Sequence, residues 1–347
     1  MAETFTRFDP AQDVVSNLRQ TVSSGMWSGG VGSLTTFFTS STQSSSNGQY
    51  YYDLYKTDPA SDSEAEIQCS VAFGDRNGSG SLGQTGNYPS KAIYAQYRNL
   101  LLTPGDSKFT FGGSVDKDRI LVISTARARL REKMDPGNWE LHLSGSIAIN
   151  AGSHTNSTGS LVKLIDDSGA TTNPEVNQGG RVFNVVSGSI ASGAAVTNTA
   201  ATAQPGGAYG LFYPDLGIVI LNGPILNASS SLSTGTTSND LGGNNDKLFT
   251  KISGGSKFQA RREETITSQH YFCRIPNKEF NFSANPTYVS GSAGSFQNPS
   301  FFKNPKSYIT QVGLYNNSNE LLAVAKLSKP LLKSFSREAI VKVKLDF

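Results

Sequence analysis

The chain has 347 residues, 16% of them charged, with 10% aromatic residues and a formal net charge of +3. That is room for one large or two ordinary domains. A clustered basic field for nucleic acid is excluded by the balance of charge, and a disordered chain by the aromatic content. The charge missing from an ordinary composition of about 25% is replaced by Gly, Ser, Thr and Asn, the residues of turns and polar loops. A loop-rich, mainly β protein is expected.

Asp9 followed by Pro10 predicts the start of a short amphipathic helix over Val14, Val15, Leu18 and Val22, closed by Ser23-Ser24-Gly25. Residues 1–30 therefore form an N-terminal arm. Leu34–Thr39 and Tyr50–Tyr55 predict a long hairpin, and Ile67, Cys69, Val71 and Phe73 alternate as a further strand. Ile93, Tyr97, Leu100 and Leu101 predict a helix from Ser90 to Leu102, stopped by Pro104-Gly105. Ile120–Ser124 is a buried strand. A Pro-Gly turn over Asp135–Gly137 precedes a strand carrying Trp139, Leu141 and Leu143.

From 151 to 207 the chain is dominated by Ser, Thr, Ala, Asn and Gly, with strand candidates at Leu161–Ile165 and Val182–Val186 about a turn at Asp166–Gly169. This segment is expected to be an inserted β-arm outside the core, the core being 31–150 with 208–347. Ile218–Leu221 is a strongly apolar strand, Asp246–Ile252 a short helix, and Lys257–Ile275 a long strand bulged near Arg261–Glu264. At the C-terminus, Tyr308–Tyr315 and Leu321–Leu327 flank the turn Asn316–Asn319, with Pro330 ending the second run. Val341, Val343, Leu345 and Phe347 then alternate with Lys342, Lys344 and Asp346, predicting a half-buried strand with Phe347 packed. The fold class expected is mainly β (α+β), with antiparallel sheets in a β-sandwich-like core, a few short helices and long polar loops.

No catalytic, cofactor or metal residue is predicted. His142, His154 and His270 are isolated and belong to no metal-ligand spacing, and His142 is expected on a surface face. Gly78–Gly83 matches GxGxxG, yet Gln84–Pro89 separate it from the following helix, and no Lys-Ser/Thr follows for a phosphate loop. Asp75-x-Asn77-x-Ser79 lacks the later glutamate of a calcium loop. The pairs Asp166/Asp167 and Glu263/Glu264 point to opposite strand faces, so neither makes an acid–base couple. A glycan-cleaving site would need two carboxylates roughly 5–10 Å apart in a cleft. Arg261-Arg262-Glu263-Glu264 is expected to form a salt-bridge cluster, and Arg127, Arg129, Arg131 and Lys133 to line one strand face or scatter around a helix, where they could meet an acidic partner. Cys69 and Cys273 are expected as buried free thiols, a disulfide between them being the alternative. Sequons at Asn77, Asn156, Asn227, Asn281 and Asn316 follow from composition. With no signal peptide and no apolar run long enough to span a bilayer, synthesis and folding in a cytoplasm are expected.

The stretches SVAFGDRNGSGS with SKAIYAQYRNLLL, DPGNWELHLS, YGLFYPDLGIVILN, EFNFSANPTY, and the closing YITQVGLYNNSNELLAVAKLSKP with IVKVKLDF carry a resemblance. Together they resemble virion structural proteins of contractile-tailed phages of the T-even type, especially those infecting marine cyanobacteria. The closing pattern is similar to that of tail and baseplate wedge proteins. The resemblance covers most of the chain except 150–207. It implies a non-enzymatic structural subunit of the tail baseplate, a homo-oligomer in a symmetric assembly whose partners are other tail subunits, with no cofactor, nucleic acid or membrane. A tail-fibre adaptor or receptor-binding module contacting host glycans is the alternative. Aromatic segments at Gln49–Tyr55 and Phe296–Phe302 are the expected contact surfaces.

Overall fold

The computed structural model describes residues 5–40, 51–78, 90–112, 115–145, 161–169, 174–190, 196–198, 208–230 and 243–347. The chain forms two compact units, one of Val22–Glu264 and one of Met1–Thr21 with Thr265–Phe347. Both boundaries fall inside strands, β1 (Val14–Gly25) and β18 (Arg261–Ile275). The architecture is mainly β and antiparallel, with five short helices among the described residues.

In Val22–Glu264 the strands follow as β2 (Ser33–Leu34), β3 (Phe38–Thr39), β4 (Tyr51–Tyr55) and β5 (Ile67–Asp75), then helix α1 (Ser90–Leu101). A small hairpin of β6 (Phe109–Phe111) and β7 (Val115–Lys117) leads to β8 (Arg119–Thr125), α2 (Arg127–Leu130) and β9 (Lys133–Met134). Next come β10 (Glu140–Ser144), β11 (Leu161–Asp166), β12 (Glu175–Asn177), β13 (Gly180–Ile190) and β14 (Val196–Asn198). The unit closes with β15 (Gly210–Tyr213), β16 (Ile218–Asn222), α3 (Gly223–Ser230), α4 (Gly243–Gly255), β17 (Phe258–Gln259) and the start of β18. One curled sheet runs β2-β17-β10-β11-β13-β15-β16-β8-β5-β4-β3, and β12 and β14 add to β13.

Ile120–Ile123 and Ile218–Leu221 are buried on both faces of this sheet, which is why these runs are continuous rather than alternating. Cys69, Val71 and Phe73, Leu121 and Ile123, and Val219 and Leu221 face one core with Trp139, Leu141 and Leu143. Leu226, Leu248 and Ile252 from α3 and α4 cover that face. Helix α4 lies so close to β10 that a Cβ on Gly255 would collide with the carbonyl of His142. The intervening positions, Ala72, Ile120, Val122, Ile218 and Ile220, face a second core closed by Tyr94 and Leu101 of α1 and by Phe109 and Phe111. Tyr94, which the predicted stripe omitted, is buried together with Leu101, whereas Leu100 is exposed.

Among the described residues, the expected inserted arm belongs to the large sheet. β11 and β13 pair in the middle of the sheet, Leu164 opposite Ser187 and Leu141 opposite Leu164, and Val162, Leu164, Phe183 and Val185 are buried in the first core. Their small, polar neighbours lowered the apolar density of the segment without changing its strand alternation. The core limits expected at 31–150 and 208–347 are corrected accordingly, because Thr265–Phe347 separates with Met1–Thr21.

The expected N-terminal helix is a strand. Asp9 makes a single turn, its carbonyl accepting from Gln12 and Asp13 and its carboxylate from Ala11. Beyond it the β-branched Val14 and Val15 suit a strand better than a helix, and β1 pairs with β18. In the C-terminal unit the other elements are β19 (Val289–Ser290), β20 (Ser295–Phe296), α5 (Ser300–Lys303), β21 (Lys306–Tyr315), β22 (Leu321–Ser334) and β23 (Ala339–Asp346). β21 and β22 form a long hairpin, and β23 pairs with β18 from Ala339 opposite Ile275 to Asp346 opposite Ser268.

Pro330 does not end β22. The ladder jumps from Ile309–Leu331 to Gln311–Lys326, so Pro330 sits in the register break, where its missing N–H removes no ladder bond. Val341 and Val343 are buried with Ile275 and Leu314, as the alternation predicts. Phe347 is different: its backbone exchanges bonds with Thr267, yet its ring is 66% exposed, so the expected packing of that side chain is wrong.

Candidate functional site

Strand alternation sends Trp139, Leu141 and Leu143 into the core and Glu140 and His142 to the other side. That side is covered too, so the surface position expected for His142 is corrected: both residues are buried. Glu140 Oε1 lies 2.5 Å from His142 Nε2 and accepts from Lys257 Nζ at 2.9 Å, while Oε2 accepts from the Ile190 N–H at 2.7 Å. Burial alone would push this carboxyl up, but the bonds from His142, Ile190 and Lys257 prevail and hold it at about 2. A carboxylate with every oxygen engaged is a poor proton carrier and a good lock. It ties β10 to the end of β13 and to the residue leading into β17.

The other buried carboxylates are used likewise. Asp166 accepts from the N–H groups of Gly137 and Ser168, at 2.8 and 2.9 Å, and burial raises its pKa. Asp167 takes both the N–H and the side-chain amide of Asn184. Asp75 meets Arg119 at 3.3 Å and the Asn77 N–H at 2.9 Å, and Ser79 and residues 80–89 lie outside the described residues, as does His154. His270 is buried, with Nδ1 unpartnered in the structure. Among the described residues no group of three or more His, Cys, Asp and Glu is placed to hold a metal ion, and no helix is long and apolar enough to cross a membrane. Cys69 is buried and Cys273 half-buried, both as free thiols.

Part of the basic run is paired within the chain, while Arg127 and Arg131 remain exposed. Arg127 and Arg129 lie on α2, Arg129 pairing with Glu66 at 2.9 Å, Arg131 with Glu264 at 3.3 Å and Lys133 with Glu263 at 3.0 Å. Arg262 adds a contact to Glu264 at 3.1 Å, so the expected salt-bridge cluster forms and absorbs the neighbouring cations.

The C-terminal unit has the opposite character. Twenty large apolar side chains are exposed among the described residues, and fourteen belong to Met1–Thr21 and Thr265–Phe347, the smaller unit. At the hairpin tip, Tyr315, Leu321, Leu322 and Val324 are open to water, with Phe5 edge-on to Tyr315 at 4.8 Å between ring centres. Between β18 and β21 lies a loop, Pro276–Asn304, built on aromatic rings. Phe301 stacks on the buried Tyr288 at 4.8 Å, and Phe282 and Phe296 meet Tyr288 edge-on at 5.6 and 5.8 Å. Phe302, 79% exposed, caps Phe296. Beneath the loop Lys333 is 0% exposed, and its Nζ donates to Asn277 O, Asn281 Oδ1 and Ser334 O at 3.0, 3.1 and 3.1 Å.

Of the two aromatic segments expected as contact surfaces, Phe296–Phe302 is largely exposed. In the other, Tyr51 is exposed while Tyr52 and Leu54 are buried, and Gln49 and Tyr50 lie outside the described residues. The hairpin tip was missed because Tyr315, Leu321 and Val324 share the strand pattern of core residues. What the fold and these surfaces define is an antiparallel β protein whose exposed large apolar side chains, among the described residues, lie mostly on one unit. Comparison with protein-family models, with curated proteins and with solved structures gives no match.

Proposed function

We propose that this chain is a structural subunit of a phage contractile tail, a baseplate component that acts through protein–protein contacts with other tail subunits. The observation that supports this most is the concentration of exposed large apolar side chains on the C-terminal unit. Exposed apolar side chains concentrated in this way support a binding role, and lasting assembly interfaces are apolar at their centre. The local pairing of charge fits the same role. Arg129, Arg131 and Lys133 already have partners within the chain, so shape and apolar area would carry the association.

Mass spectrometry of purified particles tests the assignment. The chain is expected among the tail components at a copy number set by the symmetry of the baseplate. Intact, tailed particles without it would refute the assignment.

A further inference from the structure

We propose that the outer edge of β23 is a strand-addition site, which takes an extended segment of a neighbouring protein carrying an acidic residue opposite Lys342. The edge belongs to the fold itself, so the proposal goes beyond the tail assignment and does not rest on it.

The backbone selects that occupant. Phe347 exchanges both of its backbone bonds with Thr267, and in an antiparallel pair such bonded positions alternate with positions that face away from each other. Counted back along the register, Gln269–Leu345, Tyr271–Val343 and Cys273–Val341 are the bonded pairs. The Phe272 N–H agrees, since it turns away from β23 to reach Asp13 O at 2.8 Å. Ile340, Lys342, Lys344 and Asp346 therefore aim their N–H and C=O groups away from β18, at intervals of about 7 Å along the strand. Among the described residues no strand pairs with that side of β23. A row of donors and acceptors at this spacing is matched by the backbone of one more strand.

Other edges of the molecule are blunted. Among the described residues the large sheet ends in β2 and β3, strands of two residues each, too short to template another chain. The hairpin of β21 and β22 carries two register shifts, which bend a strand away from regular pairing. β23 is eight residues long and pairs along its whole length with no shift. Its outward residues also define the side chains that fit beside it. Lys344 meets Asp346 at 3.0 Å. Lys342 is exposed, its Nζ 5.9 Å from the centre of the Phe272 ring, with no carboxylate at ion-pair distance among the described residues. Two positions away Ile340 is 65% exposed. A second copy of β23 fits poorly. Antiparallel self-pairing centred on Lys342, Val343 or Lys344 sets lysine opposite lysine, and like charges directly opposite are destabilising. A strand with an acidic residue opposite Lys342 and an apolar one opposite Ile340 meets both.

Fluorescence anisotropy with the full chain tests the proposal. The probes are a labelled peptide as long as β23 that alternates valine and glutamate, and its valine–lysine counterpart. The wild type is expected to bind the glutamate peptide about fivefold or more tightly than the lysine peptide. N-methylation of the glutamates removes the N–H groups that would meet the edge, and is expected to abolish binding. Lys342→Pro takes away one outward N–H and no bond to β18, so it is expected to keep the fold, checked by circular dichroism, and to lose the peptide. Lys342→Glu leaves the backbone whole and is expected to reverse the preference. Absence of binding by the wild type, equal binding of the two peptides, or indifference to N-methylation overturns the proposal. A preference that Lys342→Glu leaves unchanged, or a folded Lys342→Pro that still binds, overturns it too. So does self-association of the wild type in sedimentation equilibrium that Lys342→Pro abolishes, since a second copy would then be the occupant.

Discussion

Glu140→Gln is the sharpest test of how the large sheet is held. The substitution keeps the shape and removes the charge that His142, Lys257 and the Ile190 N–H converge upon. In the folded chain this carboxyl is held at about 2 against an ordinary 4.5. At about 1.36 kcal/mol per pH unit that interval corresponds to about 3 kcal/mol. Lys257 is 32% exposed, so its share is screened by water, and the expected loss is about 2 kcal/mol at neutral pH. The pH dependence has a definite sign. Because the folded value is depressed, the stabilisation is complete above 4.5 and disappears as pH falls through about 2. Both tryptophans, Trp27 and Trp139, lie in the core beside this strand, so urea unfolding followed by tryptophan fluorescence reports on this unit. The gap between wild type and variant should be largest at neutral pH and close progressively below 4.5. A gap that stays constant with pH, or is absent at neutral pH, would refute the assignment of Glu140 as a charged lock.

Leu164→Ala should cost about 2–5 kcal/mol in the same urea assay, because β11 is a central strand with Leu164 fully buried; an arm outside the core would lose almost nothing. Val343→Ala is expected to lower the thermal midpoint clearly, whereas Phe347→Ala should stay within about 0.5 kcal/mol of wild type, the ring being mostly in water. Burial, with Asp53 nearby, pushes the Cys69 thiol up to about 12, so a thiol reagent at mildly alkaline pH should label Cys273 in the native protein and Cys69 only after unfolding. Lys333→Met should destabilise by about 1–3 kcal/mol, since three acceptors lose their donor at once; a variant as stable as wild type would mean water replaces the ammonium.

Most strands were legible because their chemistry is local. Ile67–Phe73 and Ala339–Phe347 alternate, Ile120–Ser124 and Ile218–Leu221 are continuously apolar, and a strand forms at each, the C-terminal one running to Asp346. Helices at Ser90–Leu101 and Gly243–Gly255 also carried their own signals. What failed depended on partners far away in sequence. Val14–Val22 has a spacing that a helix or a strand can use, and pairing with β18 decides for the strand. Leu161–Ile165 and Val182–Val186 were placed outside the core because their flanks are polar, whereas burial follows from the neighbours β10 and β15. Pro330 misled because the register break that accommodates it is a property of two strands together. For the candidate surfaces, the exposed aromatic segment was visible as composition. The burial of Glu140 with His142 was not, since a residue and its neighbour two positions on share a strand face but nothing local says that the face is covered.

The buried Lys333 and the exposed Phe302 belong to one design. A lysine without a carboxylate partner at hydrogen-bond distance is an expensive way to fill a core, and methionine would pack as well. Its three N–H groups, however, meet three oxygens at the base of the aromatic loop, two of them on Asn277 and Asn281. Asn281 in turn uses its amide on Asn277 O, its own carbonyl receives the hydroxyl of Tyr288, and Ser307 donates to Phe280 O. The loop is thus pinned at its stem and stacked at its centre, so the rings at its rim are held in place before anything binds. A surface ordered in advance loses less entropy on association than one that must be ordered then. That relation gives the cost of burying Lys333 a functional reason: the rigidity it confers is useful only if Phe282, Phe296 and Phe302 have something to meet.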